Sequence, residues 1–394
     1  MGYQHINIEL RQKSKHPGMP CGDVFYRKKT EQHTTIILCD GKGHGIKAHI
    51  AASMNCAYLV KLMDLGFSPR AAFFKLVDML EKVGSDGNHY SVFAIVRILN
   101  DGIASLLTFN MPPPIFISHR GATILDQRKL DIDDSTATVH EANCYVKDGE
   151  AIAIMSDGVT EAGTGRGYAY GWGSENLCKY INEQIEQCRS NKMIIKEIDY
   201  ADLSDAIIKK VFNISQQNND DDTSLVIAHS LQGNVSAIFT GPPTNKADDI
   251  KYVRKFLKTD GVKIICGGTT SNIIAKVLNK EMIVETDNTF AFTPPNYKIE
   301  GIDLATEGAV TLNQLYNILD ADRSLMNNNN PVTMLYDYLI NSDKIIFYLG
   351  SINNSYEESD IDFIQKGIKT RKQIVPIIAD KLRELGKIVV IELI

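Results

Sequence analysis

Four acidic positions, far apart in the chain, sit where an apolar run meets a glycine or a polar turn. Asp157 follows Ala151-Ile152-Ala153-Ile154, a short run with β-branched residues that predicts a buried strand, and Gly158 lets the backbone turn at once. The pairs Gly22-Asp23 and Asp40-Gly41 and the run Asp220-Asp221-Asp222-Thr223 repeat the pattern. Carboxylates held at strand ends predict one cluster facing a cleft. Carboxylates a few ångströms apart raise each other's pKa unless a cation neutralises them. All-oxygen ligation selects hard ions, Mg²⁺ or Mn²⁺. Two such ions ~3.5–4 Å apart activate a water and clamp a phosphoryl group for in-line attack. The expected chemistry is hydrolysis of a phosphate ester.

Such a cluster needs strands that carry these ends to one mouth. Asp23-Val24-Phe25-Tyr26 opens a strand, residues 28–31 turn, and Thr34–Cys39 returns, so a hairpin brings Asp23 and Asp40 to the same end. The Gly-rich turn Asp40-Gly41-Lys42-Gly43-His44-Gly45 feeds a helix from Ile46 toward Leu65, with Ile50, Met54, Ala57, Leu62 and Leu65 expected on its apolar face. Gly66 stops that helix, and Pro69 opens a second one reaching Val83. Strands over Ser91–Leu99, Ile103–Phe109, Ile115–Ser118 and Gly121–Leu125 are joined by turns at Asn100-Asp101-Gly102 and Arg120-Gly121. The five glycines between Gly163 and Gly173 predict a flap at the cleft. Helices over Glu175–Arg189 and Tyr200–Ser215 precede a strand from Ser224 to Ala228. Many antiparallel strands with two pairs of helices predict a layered α+β sandwich.

At 394 residues the chain exceeds one ordinary core, and two domains are expected, 1–231 and 232–394, with the composition shifting near Ser230–Asn234. Apolar content of 44% and charged content of 23% are those of a globular protein. A formal net charge of −6 without a basic block argues against nucleic acid as a partner. The seven cysteines are scattered with no CxxC pair, which argues against zinc fingers and a disulfide frame and fits reduced thiols. No apolar run reaches the ~18 residues a membrane span needs, and the first residues lack the apolar core of a secretion signal. A cytoplasmic protein without a membrane partner is expected.

From Val235 on, strands alternate with helices, the pattern of a smaller α/β domain with a parallel sheet. Within it Gly267-Gly268-Thr269-Thr270-Ser271 follows an apolar strand and opens a helix, with Gly241-Pro242-Pro243-Thr244-Asn245 a similar stretch. Two readings stand for these residues: helix capping by the hydroxyls, or a site for a small anionic ligand.

The motifs Cys21-Gly22-Asp23, Asp40-Gly41-Lys42-Gly43-His44-Gly45, Ser156-Asp157-Gly158-Val159-Thr160-Glu161-Ala162 and Asp220-Asp221-Asp222-Thr223 give the chain a resemblance. Over residues 1–230 it resembles the metal-dependent protein Ser/Thr phosphatases (PPM family), in the branch typified by the stage II sporulation protein E phosphatase domain. The resemblance implies an α-β-β-α sandwich of two antiparallel sheets flanked by helices, with two Mn²⁺ or Mg²⁺ ions between the sheets. It implies a phosphoserine or phosphothreonine protein as substrate, in this branch an anti-sigma-factor antagonist-like protein of partner-switching signalling, hydrolysed by in-line attack of a metal-bound hydroxide. Carried over by motif, Asp40 bridges both ions and the Gly41 carbonyl binds one. Asp157 and Asp220 ligate the first ion, Asp221 standing in reserve for Asp220, and Asp23 serves the second directly or through its waters. Where many relatives place His directly after the Asp-Gly pair, this chain has Lys42. His44, two residues on, is then either the general acid beside Asp40 and Asp157 or a loop residue, and Lys42 or Arg166 replaces a phosphate-binding Arg. The competing expectation is a catalytically silent phosphoprotein-binding or scaffolding module with the same fold.

Overall fold

The computed structural model describes residues 3–83, 91–130, 139–190, 198–216, 221–285, 294–326, 330–350 and 367–394. They form two units, one over Gln4–Gln232 and another over Gly233–Ile394 together with Tyr3.

The first unit is built from the strands β1 (Gln4–Lys13), β2 (Asp23–Lys29), β3 (His33–Gly41), β4 (Ser91–Leu99), β5 (Ile103–Phe109), β6 (Ile115–Ser118), β7 (Gly121–Ile124), β8 (Arg128–Leu130), β9 (Val139–Tyr145), β10 (Ala151–Met155) and β11 (Thr223–Gln232). They pair antiparallel in two sheets, one in the order β1-β11-β10-β6-β7 and one in the order β2-β3-β4-β5-β9-β8. The helices are α1 (Gly45–Asp64), α2 (Pro69–Val83), the single turn α3 (Asp157–Thr160), α4 (Gly173–Ser190) and α5 (Tyr200–Ile214).

The two-residue period of a strand makes the layers. In β3, Ile36 and Leu38 join Ile152, Ile154, Val226 and Ala228 in a core between the sheets. Their neighbours Ile37 and Cys39 face the other way, onto Leu59 of α1 and Phe73 and Leu76 of α2. In β10, Ala151, Ala153 and Met155 likewise pack on Leu177 and Ile181 of α4 and on Leu203 and Ile207 of α5. Strands buried on both faces between helix layers form the α-β-β-α sandwich. Each fully buried aliphatic or aromatic side chain here stabilises it by about 1.5–3 kcal/mol.

Helix α1 departs from the expected face. Ile50, Met54 and Leu65 are 48%, 55% and 65% exposed, and Ala57 is exposed too; the buried side is Ala48, Ala51, Ala52, Asn55, Cys56, Leu59 and Leu62. The cause is close approach. A Cβ on Gly41 would stand 2.1 Å from the carbonyl oxygen of Ala48, so only small residues fit on the inward face at that end of the helix.

The second unit has the strands β12 (Val235–Thr240), β13 (Val262–Cys266), β14 (Met282–Glu285), β15 (Asn296–Ile299), β16 (Leu304–Thr306), β17 (Lys344–Leu349) and β18 (Ile388–Leu393) in the order β14-β15-β16-β13-β12-β17-β18. The expected parallel sheet holds for β16-β13-β12-β17-β18, whereas β14 and β15 add an antiparallel edge. Helices α6 (Asp249–Lys258) and α7 (Gly268–Leu278) cover one face through Phe256 and Ile274. Helices α8 (Ala309–Ile318), α9 (Pro331–Ile340) and α10 (Arg371–Glu384) cover the other through Leu315, Leu335 and Ile378. The last helix begins five residues before Pro376, because Thr370 and Gln373 cap it reciprocally. Among the described residues no helix is long and apolar enough to cross a membrane.

The Gly41–Ala48 approach is testable. Gly41→Ala places a methyl group against backbone that cannot yield locally, and an overpacked contact of this kind costs about 1–3 kcal/mol. Urea unfolding should show that loss, with an unchanged slope.

Candidate metal centre

The hairpin of β2 and β3 sets Asp23 directly opposite Asp40, two carboxylates in register on neighbouring strands. Like charges so placed destabilise a sheet. Asp23 is 2% exposed, and both its carboxylate oxygens, together with Oδ2 of Asp40, are buried without a well-formed hydrogen bond among the described residues, although the Ser224 and Ser156 hydroxyls lower the Asp23 pKa somewhat. Buried polar atoms are normally paired, so three orphaned carboxylate oxygens at one place call for an electrostatic partner.

Asp157 arrives from the other sheet. The end of β10 is locked to the start of β11: the Ser156 amide donates to the Ser224 carbonyl at 3.0 Å, and the Ser224 amide donates to Ser156 Oγ at 2.8 Å. Asp157 then opens α3 beside Asp221 and Asp222. There a Cβ on Gly158 would stand 2.2 Å from the Asp222 carbonyl oxygen, so the turn that re-aims Asp157 requires glycine.

The acidic run divides into roles. Asp220 lies outside the described residues. Asp222 is 3% exposed and fully engaged: its Oδ1 accepts from the Lys15 amide at 2.8 Å and its Oδ2 from the Gly22 amide at 2.9 Å. It clamps the loop that delivers Asp23. Asp221 is different. Its Oδ1 accepts the adjacent Asp222 amide at 2.8 Å, and its charge acts on both Asp40 and Asp157.

Burial, and then the neighbouring carboxylates, push these groups up. Asp40 is raised to about 10 by burial and by Asp23, Asp157 and Asp221. Asp157 is raised to about 6 by burial, Glu161, Asp221 and Asp23. Asp23 is raised to about 6, chiefly by burial, with Asp222 adding repulsion. Four acids expected from sequence, Asp23, Asp40, Asp157 and Asp221, therefore share one electrostatic environment. Among the described residues no three His, Cys, Asp or Glu side chains already enclose one ion position. The donor set still fits hard divalent cations, because its orphaned oxygens are carboxylate and out of water.

Other expected residues lie around this core. Gly41 is buried against α1, and Lys42 is exposed. His44 is exposed at the N-terminus of α1, its ring edge-on to His16 at 4.9 Å between centroids. Arg166 donates from Nη1 to the Ser215 carbonyl at 2.8 Å, which ties its guanidinium to the end of α5. Burial and Asp23 push the Cys21 thiol up to about 12, so it stays neutral. Sequence reasoning missed three supports: the Ser156–Ser224 lock, the Asp222 clamp, and His49, whose Nδ1 lies 2.8 Å from the Cys21 carbonyl oxygen. The only signal for them was polar residues placed beside the acids.

A carboxylate raised in the fold contributes stability that is complete below its unfolded value of about 3.9 and is lost as pH climbs through the folded value. In chelator, melting temperature should fall from about pH 4 through 6 as Asp23 and Asp157 ionise, and keep falling toward pH 10 as Asp40 follows. Asp40→Asn should melt above the wild type at pH 8 in chelator, with a smaller gap at pH 5.

Comparison with known proteins bears on the same residues. Residues 30–230 match the family described as stage II sporulation protein E (SpoIIE). Among solved structures the chain is similar to the PP2C phosphatase domain with a fragment of the regulatory domain of the cell fate determinant SpoIIE from Bacillus subtilis. That match has 18% identity over 59% of this chain and 65% of that one, with a TM-score of 0.47, so the chain spans just under two thirds of that relative. It is also similar to the RsbU and RsbW domains of a Mycobacterium tuberculosis protein, at 13% identity over 70% of each chain and a TM-score of 0.46. A third is RsbX in complex with magnesium, at 13% identity over 57% of this chain and 96% of that one, with a TM-score of 0.39. No curated protein sequence matches. The family match takes in just over half of the chain, with Asp40, Asp157 and Asp221 inside it, and on that ground the chain belongs to the stage II sporulation protein E (SpoIIE) family.

Proposed function

We propose that this chain removes the phosphoryl group from phosphoserine or phosphothreonine in a partner protein, using Mn²⁺ or Mg²⁺. The observation that carries the reading is the set of orphaned carboxylate oxygens on Asp23 and Asp40, with Asp157 and Asp221 acting on them from the second sheet. Asp40, central to the cluster, together with the Gly41 carbonyl, Asp157 and Asp221, would hold one ion, with Asp23 and Asp40 toward a second. Such ions supply Lewis acidity, which lowers the pKa of water and neutralises phosphoryl charge.

The chain's own residues hold this arrangement in place. Asp23 and Asp40 are fixed by strand register, so no side-chain search is needed to align them. Asp222 spends both oxygens on backbone amides and orients the Asp23 loop. Asp221 takes the ligand role from this run because its charge acts on both Asp40 and Asp157, whereas Asp222 is engaged by backbone amides. His44 is the histidine best placed in sequence to hand a proton to the leaving serine or threonine oxygen, and Lys42 lies exposed beside it to meet phosphate charge. The family fits a phosphoprotein substrate of the anti-sigma-factor antagonist type in partner-switching signalling.

The test is turnover of a phosphoserine peptide with Mn²⁺. Activity should vanish in chelator and return with Mn²⁺, and Asp157→Asn should lose about a hundredfold or more, since even the groups behind a metal ligand are worth 10–100-fold. Binding of the peptide by the metal-loaded wild type without turnover would establish a silent binder instead. A second pair of variants separates the adjacent acids. Asp221→Asn should cost activity by about the same factor without lowering the melting temperature in chelator, whereas Asp222→Asn should lower it through the loosened Lys15 and Gly22 amides.

A further inference from the structure

In the second unit the parallel strands β12, β13, β16 and β17 are followed by Gly241, Gly267, Gly308 and Gly350 at one edge of the sheet. In chain order these strands and β18 lie 3-2-1-4-5, so the direction of winding reverses between β12 and β17. The carboxyl edge at such a reversal is where open α/β sheets leave a crevice for ligands. The backbones close tightly there: a Cβ on Gly350 would stand 2.4 Å from the Gly241 carbonyl carbon.

Arg371 occupies this edge. It is the first residue of α10 and 7% exposed, and its guanidinium lies over three of the glycines. A Cβ on Gly308 would come within 2.9 Å of Nε, one on Gly241 within 3.2 Å of Nη1, and one on Gly267 within 3.8 Å of Cζ. Gly267 and Gly308 are the N-caps of α7 and α8, so three helix N-termini turn their positive ends toward one guanidinium. The guanidinium and the helix ends together make this edge a positively charged one.

A second observation points the same way. Ser271, in the first turn of α7, is fully buried, and its Oγ has no hydrogen-bond partner among the described residues. Its neighbour is accounted for, since Thr270 Oγ1 accepts from the Gly241 amide at the end of β12 at 3.2 Å, but no side chain caps α7 and the Ser271 hydroxyl stays unexplained. Glu307, the carboxylate beside Gly308, turns Oε2 to the Val310 amide at 3.2 Å and so caps α8.

We propose that this edge binds the phosphate group of a phosphorylated small molecule. Arg371 supplies the charge, the first amides of α7 and α8 supply oriented donors, and the Ser271 hydroxyl completes the cradle. The inference stands apart from the phosphatase reading, since every residue in it belongs to the second unit.

The experiment is calorimetric titration of the full chain in chelator, so that no divalent cation holds phosphate in the first unit. The probes are inorganic phosphate, glucose 6-phosphate and ADP. At least one should bind saturably, and its affinity should fall by about tenfold or more in Arg371→Gln and in Thr269→Glu, as expected for losing or opposing a charged hydrogen bond. Thr269 is exposed, so its variant spares the core, and it decides alone if thermal melting shows Arg371→Gln unfolded. The ranking of the three probes tells a free phosphate site from one that reads a sugar or a nucleotide. No saturable binding of any probe, or unchanged affinity in the folded variants, overturns the proposal.

Discussion

Repulsion between carboxylates held out of water is the constraint on which the first unit turns. Asp23 and Asp40 face each other across a strand pair, and three of their buried oxygens have no well-formed hydrogen bond among the described residues, with only the Ser156 and Ser224 hydroxyls acting to hold the Asp23 pKa down. Desolvating an anion costs far more than a hydrogen bond returns, so the arrangement persists only because the surrounding fold over-determines it. Strand register fixes two of the acids, the Ser156–Ser224 lock brings in a third, and close packing against α1 holds Gly41. A fold that packs together acids whose ionisation it opposes is arranged for a cation rather than for its own stability.

The contrast between Asp222 and its neighbours shows how the same side chain serves two ends. Both oxygens of Asp222 accept backbone amides, which is what a structural carboxylate does when buried. Asp23 is buried to the same degree, and among the described residues no backbone amide reaches its oxygens. Hydrogen-bond satisfaction, not burial or residue type, separates the acid that builds the loop from the acid that serves the centre.

Helix α1 carries a consequence of the same packing. Its approach to Gly41 demands alanines inward, and the larger apolar residues Ile46, Ile50, Met54 and Tyr58 stand on the outer side, spaced four apart. A helix rich in apolar residues on every side has no single stripe to read. Which stripe is buried follows from how near the partner comes, not from which residues are most hydrophobic.

Strand ends, turns and acidic positions were legible in the sequence because they are local signals: a two-residue period, a β-branched run, a glycine after an aspartate. From these came the sandwich, the shift to an α/β pattern near Ser230–Asn234, and the acids Asp23, Asp40 and Asp157 as one set. Tertiary structure alone decided the division of labour within the acidic run, because the amides that claim Asp222 lie 207 and 200 residues earlier in the chain. It likewise decided the buried face of α1 and the place of Arg371 over three glycines drawn from distant strands. Sequence periodicity states what each element is; only the long-range register of strands and the closeness of packed layers determine which side chains meet and which are left without a partner.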